Sequence, residues 1–344
     1  MRKRRLFFLV VLILLLLLLF GLVYVYVSLD RGDSTADPID VAPGLKHIRS
    51  IYSFGEGADA LLSQPYGVAY GDGLLYVGQI TRGVIVVFDD RGEFVRTIGV
   101  KGRGEGELDS PAGIDVDVAG DVYVADSAHA KIVVYRPDGS FLTEIDVERP
   151  LIPRLMDDAR LYVASYDSIK VFSVPGYEEL SSWGRRGRGE AEYDFPNGLI
   201  VTDEGESVFV ADGNNMRLKR LDKDGEKVWI VGAPPADMSD ADRLFGLPGG
   251  MALAGDVLYI VDPLNSSIHL YRLDGTKVGE VGEPGSEEGF FSYPSQIAYM
   301  GGTRFAITEW GNDRVQIVEI DAAAVERAAS TATPEMGTPD TTLQ

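Results

Sequence analysis

The chain has 344 residues, a formal net charge of −21 and no cysteine. Disulfides, thiol catalysis and cysteine-ligated metals are excluded, and so acidic a surface repels nucleic acid and anionic lipid. The length could hold two average domains, but it also suits one body built of repeats.

Arg2, Lys3, Arg4 and Arg5 form a short basic end, residues 1–5, before an uncharged run of Leu, Val and Phe from Leu6 to Leu29. At a rise of ~1.5 Å per residue that run is long enough to cross a ~30 Å hydrocarbon core. A cleaved leader is the alternative, but it would carry a shorter apolar region and a small-x-small site, whereas this one ends Val25-Tyr26-Val27-Ser28-Leu29. The segment therefore reads as a single-pass signal anchor, with the basic end cytoplasmic and the rest outside the cytoplasm. Residues 30–46, with Pro38, Pro43 and several Asp and Ser/Thr, read as an irregular linker.

From Pro65 onward short runs rich in Val, Ile and Tyr alternate with Gly, Asp and Pro turns, which predicts strands rather than helices. Pro111–Val147 holds four such runs, enough for an antiparallel meander that needs copies of itself to bury its faces. The copies exist. Val122-Tyr123-Val124 recurs at Leu75-Tyr76-Val77, Leu161-Tyr162-Val163, Val208-Phe209-Val210, Leu258-Tyr259-Ile260 and Phe305-Ala306-Ile307, with central residues 47, 39, 47, 50 and 47 positions apart. Six four-stranded units predict an all-β fold, a six-bladed β-propeller over 47–321, rather than a solenoid of shorter rungs. The sixth unit lacks a fourth strand of its own, and His47–Phe54 is a strand without a unit. It is predicted to pair with Val315–Ile320 and close the ring. Residues 322–344 read as a disordered tail, apart from a helical turn at 322–329.

Strand direction sorts the loops onto two faces. Tight turns such as Gly120-Asp121 and Asp138-Gly139 lie on one; the long connectors 100–110, 185–195, 233–247 and 283–293 lie on the other. Long loops on a rigid scaffold are where binding usually resides. Lys101, Arg103, Arg185, Arg186 and Arg188 crowd two of the connectors, while Asp240, Asp242, Glu287 and Glu288 crowd the other two. Such a bipolar face suits a protein or peptide partner outside the cytoplasm. The closing strand should run toward this face, so the linker is expected to enter from the tight-turn side and leave the long loops distal to the membrane.

A carboxylate, amide and base recur at offsets 0, 3 and 5 in the loops after the second strands. They are Asp126 with Lys131, Asp212 with Asn215 and Arg217, Asp262 with Asn265, and Glu309 with Asn312 and Arg314. Repetition in most units points to blade architecture rather than to a ligand site.

The phrase Pro-x-Gly-Ile-x-Val, Val-Tyr-Val-Ala-Asp-Ser, Lys-Ile-Val-Val-Tyr, Asp-Gly, Ile, spread over Pro111–Ile145 and echoed in Pro196–Gly232, resembles the NHL repeat. The resemblance covers about 65–320. It implies a six-bladed propeller used as an interaction module, as in bacterial extracytoplasmic sensor domains beyond a membrane helix. Related propellers include zinc-dependent lyases and metal-dependent lactonases, so a metal-dependent hydrolase, lactonase or lyase is the alternative function. The three histidines, His47, His129 and His269, fall at unrelated positions of the repeat and are not expected to meet, and neither a cofactor nor a catalytic set is expected.

Overall fold

The computed structural model describes residues 38–156, 159–202, 205–235 and 243–332. The basic end, the apolar run and most of the linker lie outside them. Among the described residues no helix is long and apolar enough to cross a membrane.

Six antiparallel sheets form the blades of a propeller. Blade one is β3 (Pro65–Gly71), β4 (Leu74–Gln79), β5 (Val84–Asp89) and β6 (Phe94–Ile98). Blade two is β7 (Pro111–Val116), β8 (Val122–Asp126), β9 (Lys131–Tyr135) and β10 (Phe141–Asp146). Blade three is β11 (Pro150–Met156), β12 (Arg160–Ser165), β13 (Ser168–Ser173) and β14 (Glu179–Trp183). Blade four is β15 (Pro196–Val201), β16 (Ser207–Asp212), β17 (Arg217–Asp222) and β18 (Lys227–Gly232). Blade five is β19 (Met251–Ala254), β20 (Val257–Asp262), β21 (Ser267–Arg272) and β22 (Lys277–Val281). Blade six is β23 (Pro294–Gly301), β24 (Arg304–Glu309) and β25 (Arg314–Ile320), completed by β2 (Leu45–Ile51) and by β1 (Ile39–Ala42) on its outer edge.

The first strands touch in the order β3, β7, β11, β15, β19, β23, and β23 returns to β3 around a central channel. Second strands, flanked by blades on both faces, are buried throughout in β8, β16 and β20, whereas the fourth strands β6 and β14 are mostly exposed. This gradient explains why the second strands read as unbroken apolar runs.

The Pro-x-Gly signature opening the blades has a packing cause. A Cβ on Gly67 would lie 2.1 Å from the Ala112 carbonyl oxygen, one on Gly113 2.2 Å from that of Leu151, and one on Gly198 2.1 Å from that of Gly249. The next blade's backbone occupies the space of a side chain, so only glycine permits this approach at the hub.

Ring closure pairs β2 with β25 from Leu45↔Ile320 to Ile51↔Val315. The linker differs from expectation. Ile39–Ala42 is a strand, antiparallel to β2 with Ile39 opposite His47, and Gly44 at φ +82° makes the turn between them. The described chain therefore starts beside the middle of β2, not at the tight-turn face, and the predicted route of the linker loses its basis. The alternating Ile39 and Val41, short as the run is, find an edge to extend.

The helical turn expected at 322–329 is present and runs on to Ala332, while the rest of the tail, 333–344, lies outside the described residues. Asp321 accepts hydrogen bonds from the N–H groups of Ala323 and Ala324 and caps helix α1, Ala322–Ala332. Val325 is buried against Gly279 of β22, and Arg272 grips Glu326 through two bonds of 3.0 and 2.9 Å. Docking on the outer edge of blade five supports a run whose alanines already favour helix but which is too short to hold one alone. Blade three is complete: β11 is its first strand, reached by only three residues, 147–149. Its Pro153 is tolerated because a first strand has no ladder partner on the channel side.

Candidate binding face

The connectors on the long-loop face are folded onto buried carboxylates at the ends of the second strands. Asp126 accepts from the N–H groups of Asp109 (2.7 Å) and Ser110 (3.0 Å), Asp212 from that of Asp194 (2.8 Å), and Glu309 from that of Ser292 (2.8 Å). Asp262 accepts from Gly246 (2.6 Å) and Leu247 (2.9 Å). Burial pushes the Asp262 carboxyl up, but His269 and these two N–H groups outweigh it and hold it below the usual carboxylate range.

The amide three residues on links carboxylate to connector. Asn215 donates to Asp212 (2.9 Å) and to the Gly187 carbonyl (2.9 Å), and Asn312 to Glu309 (2.7 Å) and the Gly285 carbonyl (3.0 Å). Asn265 keeps the first of these bonds, to Asp262, at 3.0 Å. The base at offset five completes the frame. Arg217 bonds Asp212 and the carbonyls of Arg188, Gly189 and Glu192; Arg314 bonds Glu309 and those of Ser286, Glu287 and Phe290. In blade two Lys131 turns to Glu144 instead, and His129 takes the place beside Asp126 at 3.0 Å.

Offset seven carries a further member that the sequence reading missed: Lys219, His269 and Gln316, which lie 3.5, 3.3 and 2.7 Å from Asp212, Asp262 and Glu309. Two residues beyond offset five, on the same face of the same strand, was the signal available. Blades one and three carry Gln79 and Ser165 in place of the carboxylate. Gln79 supplies one acceptor, to the Ser63 N–H at 2.8 Å, while Ser165 faces a connector too short to need an anchor.

Each connector then closes around an apolar plug, Leu108, Tyr193, Phe245 or Phe291, all buried. Glu107 and Glu192 turn back to the N–H groups of Gly104 (2.7 Å) and Gly189 (2.9 Å). The inward acids leave the bases outside. Arg103 and Arg188 are exposed, and their side chains have no partner among the described residues. Arg185 pairs with Glu192 at 2.9 Å, Arg186 lies 3.7 Å from Asp194, and Lys101 bonds the Thr81 carbonyl at 3.0 Å. The basic connectors thus contain their own acids, and the charge separation is less complete than the sequence suggests. On the acidic side Glu287 is exposed, Glu288 lies 3.7 Å from His47, and Asp240 and Asp242 are outside the described residues.

Aromatic groups on this face escaped the sequence reading. Arg149 stacks 3.5 Å from the Tyr166 ring centroid, with Arg186 at 5.7 Å from the same ring and Phe195 at its side. Trp310, 39% exposed, stands edge-on to Tyr293 and Tyr66. Chain positions this distant give no sign of their meeting.

His47, His129 and His269 lie in β2, the blade-two loop and β21, each beside its own carboxylate. Among the described residues no three His, Asp or Glu side chains are grouped as a metal would require.

A family model described as a 6-bladed beta-propeller (DUF5128) matches residues 57–168. A protein of unknown function from Bacteroides thetaiotaomicron is 20% identical with a TM-score of 0.60, covering 78% of this chain and 72% of its own. Hydrazine synthase of Kuenenia stuttgartiensis gives 14% and 0.56, covering 76% and 97%. Virginiamycin B lyase of Staphylococcus aureus gives 12% and 0.53, covering 80% and 99%. This chain is a six-bladed β-propeller. At these identities the likeness is one of fold, shared by enzymes and others alike.

Proposed function

We propose that the chain is a membrane-anchored, extracytoplasmic binding module of NHL-repeat type, whose long-loop face captures a protein or peptide partner. One observation carries this reading. Buried carboxylate frames fix the connector backbones, so Arg103, Arg185, Arg186 and Arg188 project from rigid loops, with Arg186 beside the Arg149–Tyr166 stack. Preformed loops lose little entropy on binding, and arginine beside aromatic rings is the composition of interaction hot spots. The anchor rests on the apolar run Leu6–Leu29 and its basic flank. The metal-dependent hydrolase or lyase reading draws support only from the shared fold.

Placing a photo-cross-linking amino acid at Arg188 in intact cells tests the proposal, with the same group at Lys223 in the tight turn after β17 as control. A discrete adduct from position 188 and none from 223 is expected. Equal adducts from both, or none from 188, would overturn it.

A further inference from the structure

The opposite half of the central channel holds a cavity of about 140 Å³ lined by the first strands of all six blades. Ile114, Ile200, Met251 and Ile297 give its wall an aliphatic part, beside Tyr70, Tyr299 and a slightly larger share of polar surface. Two charged groups interrupt it, Asp115 of β7 and Arg154 of β11. Arg154 is held by its neighbours: Nε donates to the Leu199 carbonyl (2.9 Å), and Nη1 to those of Pro153 (2.9 Å) and Ile114 (3.3 Å). Its Nη2 has no partner among the described residues. Asp115 Oδ2 accepts from the Leu155 N–H at 2.7 Å, while Oδ1 is 3.9 Å from the guanidinium. That separation is too long for a hydrogen bond.

We infer that this cavity binds a small zwitterion, an α-amino acid with a short aliphatic side chain. The ligand carboxylate meets Arg154 Nη2, its ammonium meets Asp115 Oδ1, and its side chain lies on the Ile and Met wall. Each charge keeps some surface, 16% for Arg154 and 21% for Asp115, and that surface faces the cavity. Burial pushes the Asp115 carboxyl up and the Arg154 guanidinium down, each only partly offset by the other. Both charges therefore gain from a partner of opposite sign. A metal ion would be repelled by the guanidinium and a simple anion by the carboxylate, whereas a zwitterion satisfies both. The volume is below the ~300–1,000 Å³ of sites for drug-sized molecules, as a short amino acid requires. This site is independent of the long-loop face and of the reading built on it.

The test uses the full chain labelled with ¹³C-methyl methionine, because Met251 lines the cavity and Met300 does not. Glycine, alanine, valine and leucine are titrated, with acetate, isovalerate and isobutylamine as single-charge controls. The expected result is a saturable shift of the Met251 methyl, not of Met300, with at least one amino acid. Asp115→Asn and Arg154→Gln each weaken that amino acid by about tenfold or more, the loss of one charge-assisted bond. No Met251 shift with any zwitterion, or equal shifts with the single-charge controls, would overturn the inference, and the wild-type titration decides even if a variant fails to fold.

Discussion

Lys219 ends where no water reaches. Its ammonium is fully buried, 3.5 Å from Asp212, 3.8 Å from the Tyr193 ring centroid, and bonded to the carbonyls of Glu190 and Glu192. Burial pushes it down to about 8 from 10.5, although Asp212 opposes the shift. Between those values the unfolded chain binds the proton and the folded one does not, so stability rises with pH across that window. Below pH 8 both states carry the charge, and its full burial cost is present. Tyrosines set an upper limit: half-buried Tyr66 and buried Tyr259 and Tyr271 are pushed up to about 12, so stability falls again above pH ~9 as unfolded tyrosines begin to ionise. Denaturant unfolding from pH 7 to 9 should therefore show a gain on the order of 1 kcal/mol that Lys219→Met abolishes. An identical gain in the variant would show that Lys219 is not its source.

At the scale of elements, the first strands are brought together more closely than side chains allow. Gly113→Ala places a methyl 2.2 Å from the Leu151 carbonyl oxygen, which is backbone and cannot swing aside. The expected loss is about 3 kcal/mol, read as a lower thermal midpoint, because overpacking forces β7 away from β11. A variant as stable as the wild type would mean the hub relaxes freely. The Pro-x-Gly spacing was plain in the sequence, but its cause was not, since a glycine in a strand looks the same whether it bends, bulges or admits a neighbour. The connectors show the converse. Asp212, Asn215 and Arg217 declared themselves by repetition, yet their targets, the carbonyls of Gly187, Arg188 and Gly189, lie some thirty residues earlier.

For the whole molecule the decisive feature is closure. Without β1 and β2 the edge of β25 is open, a template for pairing with another chain. A chain lacking residues 38–51 should oligomerise or lose its single cooperative transition, measured by light scattering alongside thermal unfolding. A monomeric, cooperatively folding product would show that closure is dispensable. By itself the sequence determined the number of blades, the polarity of their strands and the identity of the closing strand. Those features rest on local alternation and on a repeat period, and both are written along the chain. Only the tertiary structure decided that Ile39–Ala42 adds a strand, that α1 docks on blade five, that Tyr166 meets two arginines, and that Asp115 and Arg154 share one cavity. Each of these depends on which surfaces meet once the ring has closed, and no spacing along the chain encodes a meeting across it.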